Sequence, residues 1–87
     1  MENKKALTIL FERFWNYLDE NTYKCAFKSK SGQYYQGWLE EVKDGYICFY
    51  DSSPYAKETP YFIKLEDIDV HSLTYYDHLT KSWKPFH

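Results

Sequence analysis

The hydrophobic period changes once in this chain, near Asn21, and that change constrains the fold more than any other feature. Before it, Leu7, Leu10, Phe11, Phe14 and Leu18 recur at helical spacing, with Trp15 and Tyr17 at the edges of the stripe. Thr8, Glu12, Asn16 and Asp19 form the opposite face, where Ile9 also falls. The spacing predicts an amphipathic helix over residues 4–20, with Asn3 as N-cap and Asn21 taking the left-handed turn that ends it. Beyond Asn21 the period is two. Tyr23, Cys25 and Phe27 share one face, while Lys24, Ala26 and Lys28 share the other.

Turn signals divide the rest into short strands. Ser31-Gly32 closes the first, and Gln33 to Val42 forms a second, with Gly37 marking a bend. Asp44-Gly45 is a hairpin turn into Tyr46–Asp51. Ser52 to Pro60 reads as the one real loop. Tyr61–Leu65 is a fourth strand, Glu66 to Ile68 a turn, and Val70–Tyr76 a fifth strand. Asp77 to Thr80 turns the chain so that Lys81–Phe86 pairs back, and Pro85 puts that last segment at an edge. One helix followed by short strands and tight turns predicts a mainly β domain: a small five-stranded antiparallel barrel over 22–87 with a C-terminal hairpin extension.

At 87 residues the chain has room for one domain, and such a chain buries only roughly 60% of its unfolded surface. Self-association is an expected extra source of stability. Aromatic residues make up 22% of the sequence, ten of them Tyr, which pack a ring while keeping a hydroxyl wet and so suit an interface. The formal net charge is −2, with a single Arg, so the chain as a whole lacks a basic nucleic-acid footprint. Residues 1–36, however, carry six basic and four acidic side chains, against five and nine in residues 37–87.

The chemistry-bearing residues point away from catalysis. Cys25 and Cys48 sit in apolar contexts and read as buried free thiols rather than a disulfide or a nucleophile. Asp67, Asp69 and His71 alternate, but a zinc site needs three or four fixed ligands and no second cluster accompanies them. His78 and His87 read as solvated, and three glycines make no phosphate loop. No enzyme activity, cofactor or metal is expected. The longest apolar stretch is far short of the ~20 residues a membrane span needs, and Met1 to Lys5 show no leader pattern, so a cytoplasmic protein is expected. Lys24, Lys28 and Lys30 run up to Tyr34-Tyr35, the mixture of lysines and aromatic rings that single-strand binding requires.

Two stretches resemble the Sm-like family. Gly37-Trp38-Leu39-Glu40-Glu41-Val42-Lys43-Asp44-Gly45-Tyr46-Ile47-Cys48 is similar to its first motif: a glycine, a leucine two residues on, an apolar residue, a tight turn, and an aromatic entering strand three. Ile63-Lys64-Leu65-Glu66-Asp67-Ile68 resembles the second motif, apolar then basic, with a polar turn into Ile. Together they cover about a fifth of the chain. The resemblance implies a bent barrel, Sm-like or more loosely SH3-like, a homo-oligomeric ring joined by edge strands four and five, and RNA bound by the loops after strands two and four. It puts Tyr46 at the base-stacking position and Lys64 at the basic position. Lys43 stands where the family has Asp, Ile47 where it has a base-contacting Asn, and Leu65 where it has Gly. The candidate nucleic-acid residues are therefore Lys43, Tyr46, Lys64, Lys28 and Lys30. Separately, Tyr75 to Trp83 resembles the hairpin of WW domains, which carries an aromatic groove for proline-rich peptides. Two functions follow as expectations: an Sm-like ring binding RNA or single-stranded nucleic acid, or a protein-interaction module docking through Tyr and Trp.

Overall fold

The computed structural model describes residues 4–21, 23–52 and 60–86. Asn3, most of the loop between Ser52 and Pro60, and His87 lie outside them. Helix α1 spans Lys4–Asn21 and buries Phe11, Phe14 and Leu18, with Leu7, Leu10 and Trp15 packed at the margin and Ile9 43% exposed. Each fully buried side chain of this stripe contributes about 1.5–3 kcal/mol. The helix end differs from expectation. Asn21 does not adopt a left-handed conformation; its side-chain amide donates to the Tyr17 carbonyl at 2.8 Å, and the Tyr23 N–H donates to the Leu18 carbonyl at 3.0 Å. The Tyr17 and Leu18 carbonyls thus gain partners without a positive φ at Asn21.

Six antiparallel strands follow: β1 (Cys25–Lys28), β2 (Tyr34–Lys43), β3 (Tyr46–Asp51), β4 (Tyr61–Lys64), β5 (Thr74–Asp77) and β6 (Ser82–Pro85). They form one sheet in the order β4-β3-β2-β1-β5-β6. The domain is thus mainly β with one N-terminal helix. Cys25, Phe27, Ile47, Phe49 and Ile63 line the inner face and pack on the helix stripe, joined by Leu65, Ile68 and Leu73. Among the described residues no ladder joins β4 to β6. The chain that follows β4 returns instead to the end of β1, where Ser29 and Ile68 form an isolated bridge and the Asp69 N–H donates to the Lys28 carbonyl at 2.9 Å.

Three local outcomes differ from the period-two reading. Leu65–Asp67 and Val70–Ser72 are 3-10 turns, so the fifth strand begins only at Thr74. The second turn forms because Asp69 accepts the His71 backbone N–H at 3.0 Å, capping it. Cys25 is buried, but Cys48 faces the outer side of β3 and is half-buried. The last strand, β6, carries Pro85 and lies at an edge, as the proline requires.

Candidate nucleic-acid interface

The β2–β3 turn sets the geometry. Asp44 and Gly45 both have positive φ, 53° and 81°, the conformation of a two-residue hairpin turn whose twist matches the strands. It places Lys43 opposite Tyr46. On the other side of β3, the Leu65 N–H donates to the Gly45 carbonyl at 2.9 Å and fixes the register that puts Tyr46 opposite Lys64. Lys43, Tyr46 and Lys64 therefore stand abreast on three neighbouring strands, spaced about 4.8 Å apart. All three were singled out through the Sm-like resemblance, and the register brings them into one row.

Alternation from that Leu65–Gly45 bond makes Tyr46–Lys64 and Cys48–Phe62 the non-hydrogen-bonded pairs of the β3–β4 ladder. The backbone N–H and C=O of Phe62 and Lys64 consequently turn away from β3, along the outer edge of the sheet. Phe62 itself is 70% exposed. Its signal was present in the sequence: in Tyr61-Phe62-Ile63, a period of two that buries Ile63 must turn Phe62 outward.

A cleft of about 740 Å³ follows this edge. One wall is Phe62, Ile63 and Lys64 of β4, with Tyr46 beside them; the other is the β1–β2 turn, Ser29 to Ser31. Tyr35 lies between, in contact with the core rings of Phe27 and Phe49. The turn is rigidly built. The Ser29 hydroxyl accepts from the Gln33 N–H at 3.0 Å, Gly32 takes φ 96°, and the Lys30 N–H donates to the Asp67 carbonyl at 2.7 Å. This last bond ties Lys30 to the chain that follows β4. The cleft thus holds two lysines, Lys30 and Lys64, against one carboxylate, Asp67, with three aromatic rings and two serine hydroxyls.

A second groove of about 460 Å³ lies on the adjoining surface, where Glu41, Lys43 and Cys48 meet Tyr46 and Phe62. Lys28 does not join either. It lines a separate hollow of about 350 Å³ with Tyr34, Asp69 and His71. The structure therefore brings Lys30, Lys43 and Lys64 around Tyr46 and leaves Lys28 apart. Among the described residues no group of three or more His, Cys, Asp or Glu is placed to hold a metal ion, and no helix is long and apolar enough to cross a membrane. Compared with protein-family models, with curated proteins and with solved structures, the chain matches none of them.

Proposed function

We propose that this chain binds single-stranded nucleic acid in the cleft between the β4 edge and the β1–β2 turn. The observation that carries the reading is the convergence of Tyr46, Lys64 and Lys30 on one cleft, with Lys43 next in the row and Phe62 exposed beside it. Rings that stack bases next to ammonium groups that neutralise phosphates are the two components such binding needs. The Sm-like resemblance supports the same assignment, since its stacking and basic positions, Tyr46 and Lys64, are cross-strand neighbours. Its barrel closure and ring are part of the same proposal with one change. β5 has β6 along the side a ring would use, so edge-to-edge assembly of this chain runs through β4 and β6.

The test is fluorescence anisotropy with oligo-U and oligo-A at low salt. Removing the Tyr46 ring is expected to weaken binding roughly 5- to 150-fold, the equivalent of about 1–3 kcal/mol for one stacked base. Lys30→Ala with Lys64→Ala should lower the salt slope, which is about −0.7 per phosphate contact on a single strand. Absence of binding at low salt, or binding indifferent to all three changes, overturns the reading.

A second reading, docking of an extended protein segment, is favoured by the outward backbone groups of Phe62 and Lys64. Amide hydrogen exchange separates the two. Protection of the Phe62 and Lys64 amides on raising protein concentration, with no oligonucleotide binding, would select strand pairing between copies; light scattering then gives the assembly.

A further inference from the structure

The sheet ends in two strand edges, and backbone alternation fixes which residues of each edge face outward. On β4 these are Phe62 and Lys64. On β6 the alternation is set by the Phe86 N–H, which donates to the Leu73 carbonyl at 2.9 Å. That bond makes Thr74–Pro85 and Tyr76–Trp83 the non-hydrogen-bonded pairs of the β5–β6 ladder, so the backbones of Trp83 and Pro85 turn outward. Pro85 thereby keeps its missing N–H off the ladder. Among the described residues no strand lies beyond either edge. Each edge carries a large exposed ring, Phe62 at 70% and Trp83 at 40%.

The two edges are complementary to each other. The strands alternate in direction across the sheet, so β4 and β6 run opposite ways. The β6 of a second copy therefore lies antiparallel on β4 with the outer faces of both sheets on one side. Outward residues must meet outward residues, and one register keeps them within the strands: Lys64 opposite the partner's Trp83, and Phe62 opposite the partner's Pro85. In it Lys64 and the partner's Trp83 exchange both backbone bonds, and the Phe62 N–H reaches the partner's Pro85 carbonyl. A shift by two residues one way sets Lys64 against the partner's Lys81, a like charge at φ 55° outside the strand. A shift the other way carries Phe62 past the end of β6. The side chains select the same register. A lysine opposite a tryptophan is a contact this sheet already makes: the β1–β2 register extended by one residue sets Lys24 opposite Trp38, with the ammonium 5.6 Å from the ring centre. The cation beside Trp83, Lys84, is held by Asp77 at 2.9 Å. Pairing β4 with a second β4 would leave both Trp83 edges uncovered, whereas β4 on β6 uses both, and open edges are what small β domains cover.

We infer that β4 of one copy of this chain pairs with β6 of the next in the Lys64–Trp83 register, joining copies head to tail. The inference rests on the edge-to-edge assembly proposed for this chain and specifies its joint; it does not require nucleic acid to bind. The joint lies beyond β4, so Tyr46, one strand in, and Lys43, two strands in, stay open. The partner's Trp83 then stands next in the row of Lys43, Tyr46 and Lys64, so the candidate site gains a ring from the neighbouring copy.

The test uses the full chain. Sedimentation over a concentration series is expected to show reversible assembly beyond a dimer, because a head-to-tail joint repeats until it closes. Amide exchange at raised protein concentration is expected to protect Trp83 together with Phe62 and Lys64, and it needs no variant. Lys64 has φ −66°, which proline adopts, and its N–H points away from β3. Lys64→Pro therefore removes a joint bond and no ladder bond. Lys64→Pro and, separately, Trp83→Ala are each expected to weaken assembly at least about tenfold. In a Cys48→Ser background, Phe62→Cys chains mixed with Pro85→Cys chains are expected to join through a short bis-maleimide, and Phe62→Cys chains alone are not. A chain that stays monomeric overturns the joint; if that monomer binds oligonucleotide, the cleft stands without it. Protection of Phe62 and Lys64 without Trp83, or Phe62→Cys chains joined to themselves, overturns it in favour of β4 pairing with β4. Assembly unmoved by both Lys64→Pro and Trp83→Ala overturns it and leaves assembly by another surface. Assembly with all the expected signatures and no oligonucleotide binding at low salt establishes the joint and removes the nucleic-acid reading.

Discussion

Gly37 lies directly against the backbone carbonyl of Tyr50. A Cβ at position 37 would overlap that oxygen and stand 2.9 Å from the Ser52 nitrogen and 3.0 Å from the Asp51 Cα. All three are backbone atoms, which cannot swing aside, so β2 bends over β3 only with glycine here. Gly37→Ala should cost about 3 kcal/mol. That is a large part of the roughly 4–13 kcal/mol expected for a domain of this size. Urea denaturation measures it. A loss below about 1 kcal/mol would mean that the two strands do not approach as described.

The C-terminal end is tied to the helix by rings. Phe14 is fully buried and meets Phe86 edge-on at 4.8 Å, while the Phe86 N–H donates to the Leu73 carbonyl at 2.9 Å. Phe14→Ala should remove about 3–5 kcal/mol. A double-mutant cycle with Phe86→Ala should return a coupling of about 1 kcal/mol. Additive effects would show that the last residues do not dock on α1.

How much of this was legible follows from the range of each interaction. The helix stripe from Leu7 to Leu18 and the Asp44-Gly45 turn are local, and both were readable. Val70-His71-Ser72 alternates like a strand, yet the Asp69 carboxylate captures the His71 amide and winds the segment into a turn. Lys28 and Lys30 share a parity, but the strand ends at Lys28, so Lys30 lines the cleft at the β4 edge while Lys28 lines the hollow beside Asp69 and His71. The register of β5 on β1 was not readable. The pairing of β1 with β5 joins residues about fifty positions apart, and no local signal sets that register.

Across the β5–β6 hairpin, the Lys84 ammonium lies 2.9 Å from one Asp77 oxygen, and the other oxygen accepts the Leu79 N–H at 2.9 Å. The Lys84 hydrogen bond, followed by that of Leu79, holds the Asp77 carboxyl down at about 2. An unfolded Asp titrates near 3.9. The unfolded chain therefore binds more protons in the interval between, and stability falls as the solution is acidified through it. The contribution is fully present above about pH 5 and gone below about pH 2. Asp77→Asn keeps an oxygen for Leu79 and loses the charge. Its Tm should fall less than that of the unmodified chain between pH 5 and pH 2. Parallel Tm curves would show that the pair does not hold the hairpin.

The two thiols should separate cleanly in a labelling experiment. Burial pushes Cys25 up to about 12, only partly offset by backbone hydrogen bonding at Leu39. Cys48 is half-buried on the outer face, and it too is raised, first by burial and then by the carboxylates of Glu40 and Glu41. The thiolate is the reacting species. At pH 8 an aromatic disulfide reagent should therefore modify one thiol per folded chain, more slowly than a free cysteine, and two in denaturant. Glu40→Gln with Glu41→Gln removes negative charge near Cys48, lowers its pKa and should speed that single reaction, leaving Cys25 inert. Two thiols reacting at similar rates in the folded protein would contradict the burial of Cys25 in the core. A rate unmoved by the double substitution would show that burial alone, without the neighbouring carboxylates, governs Cys48.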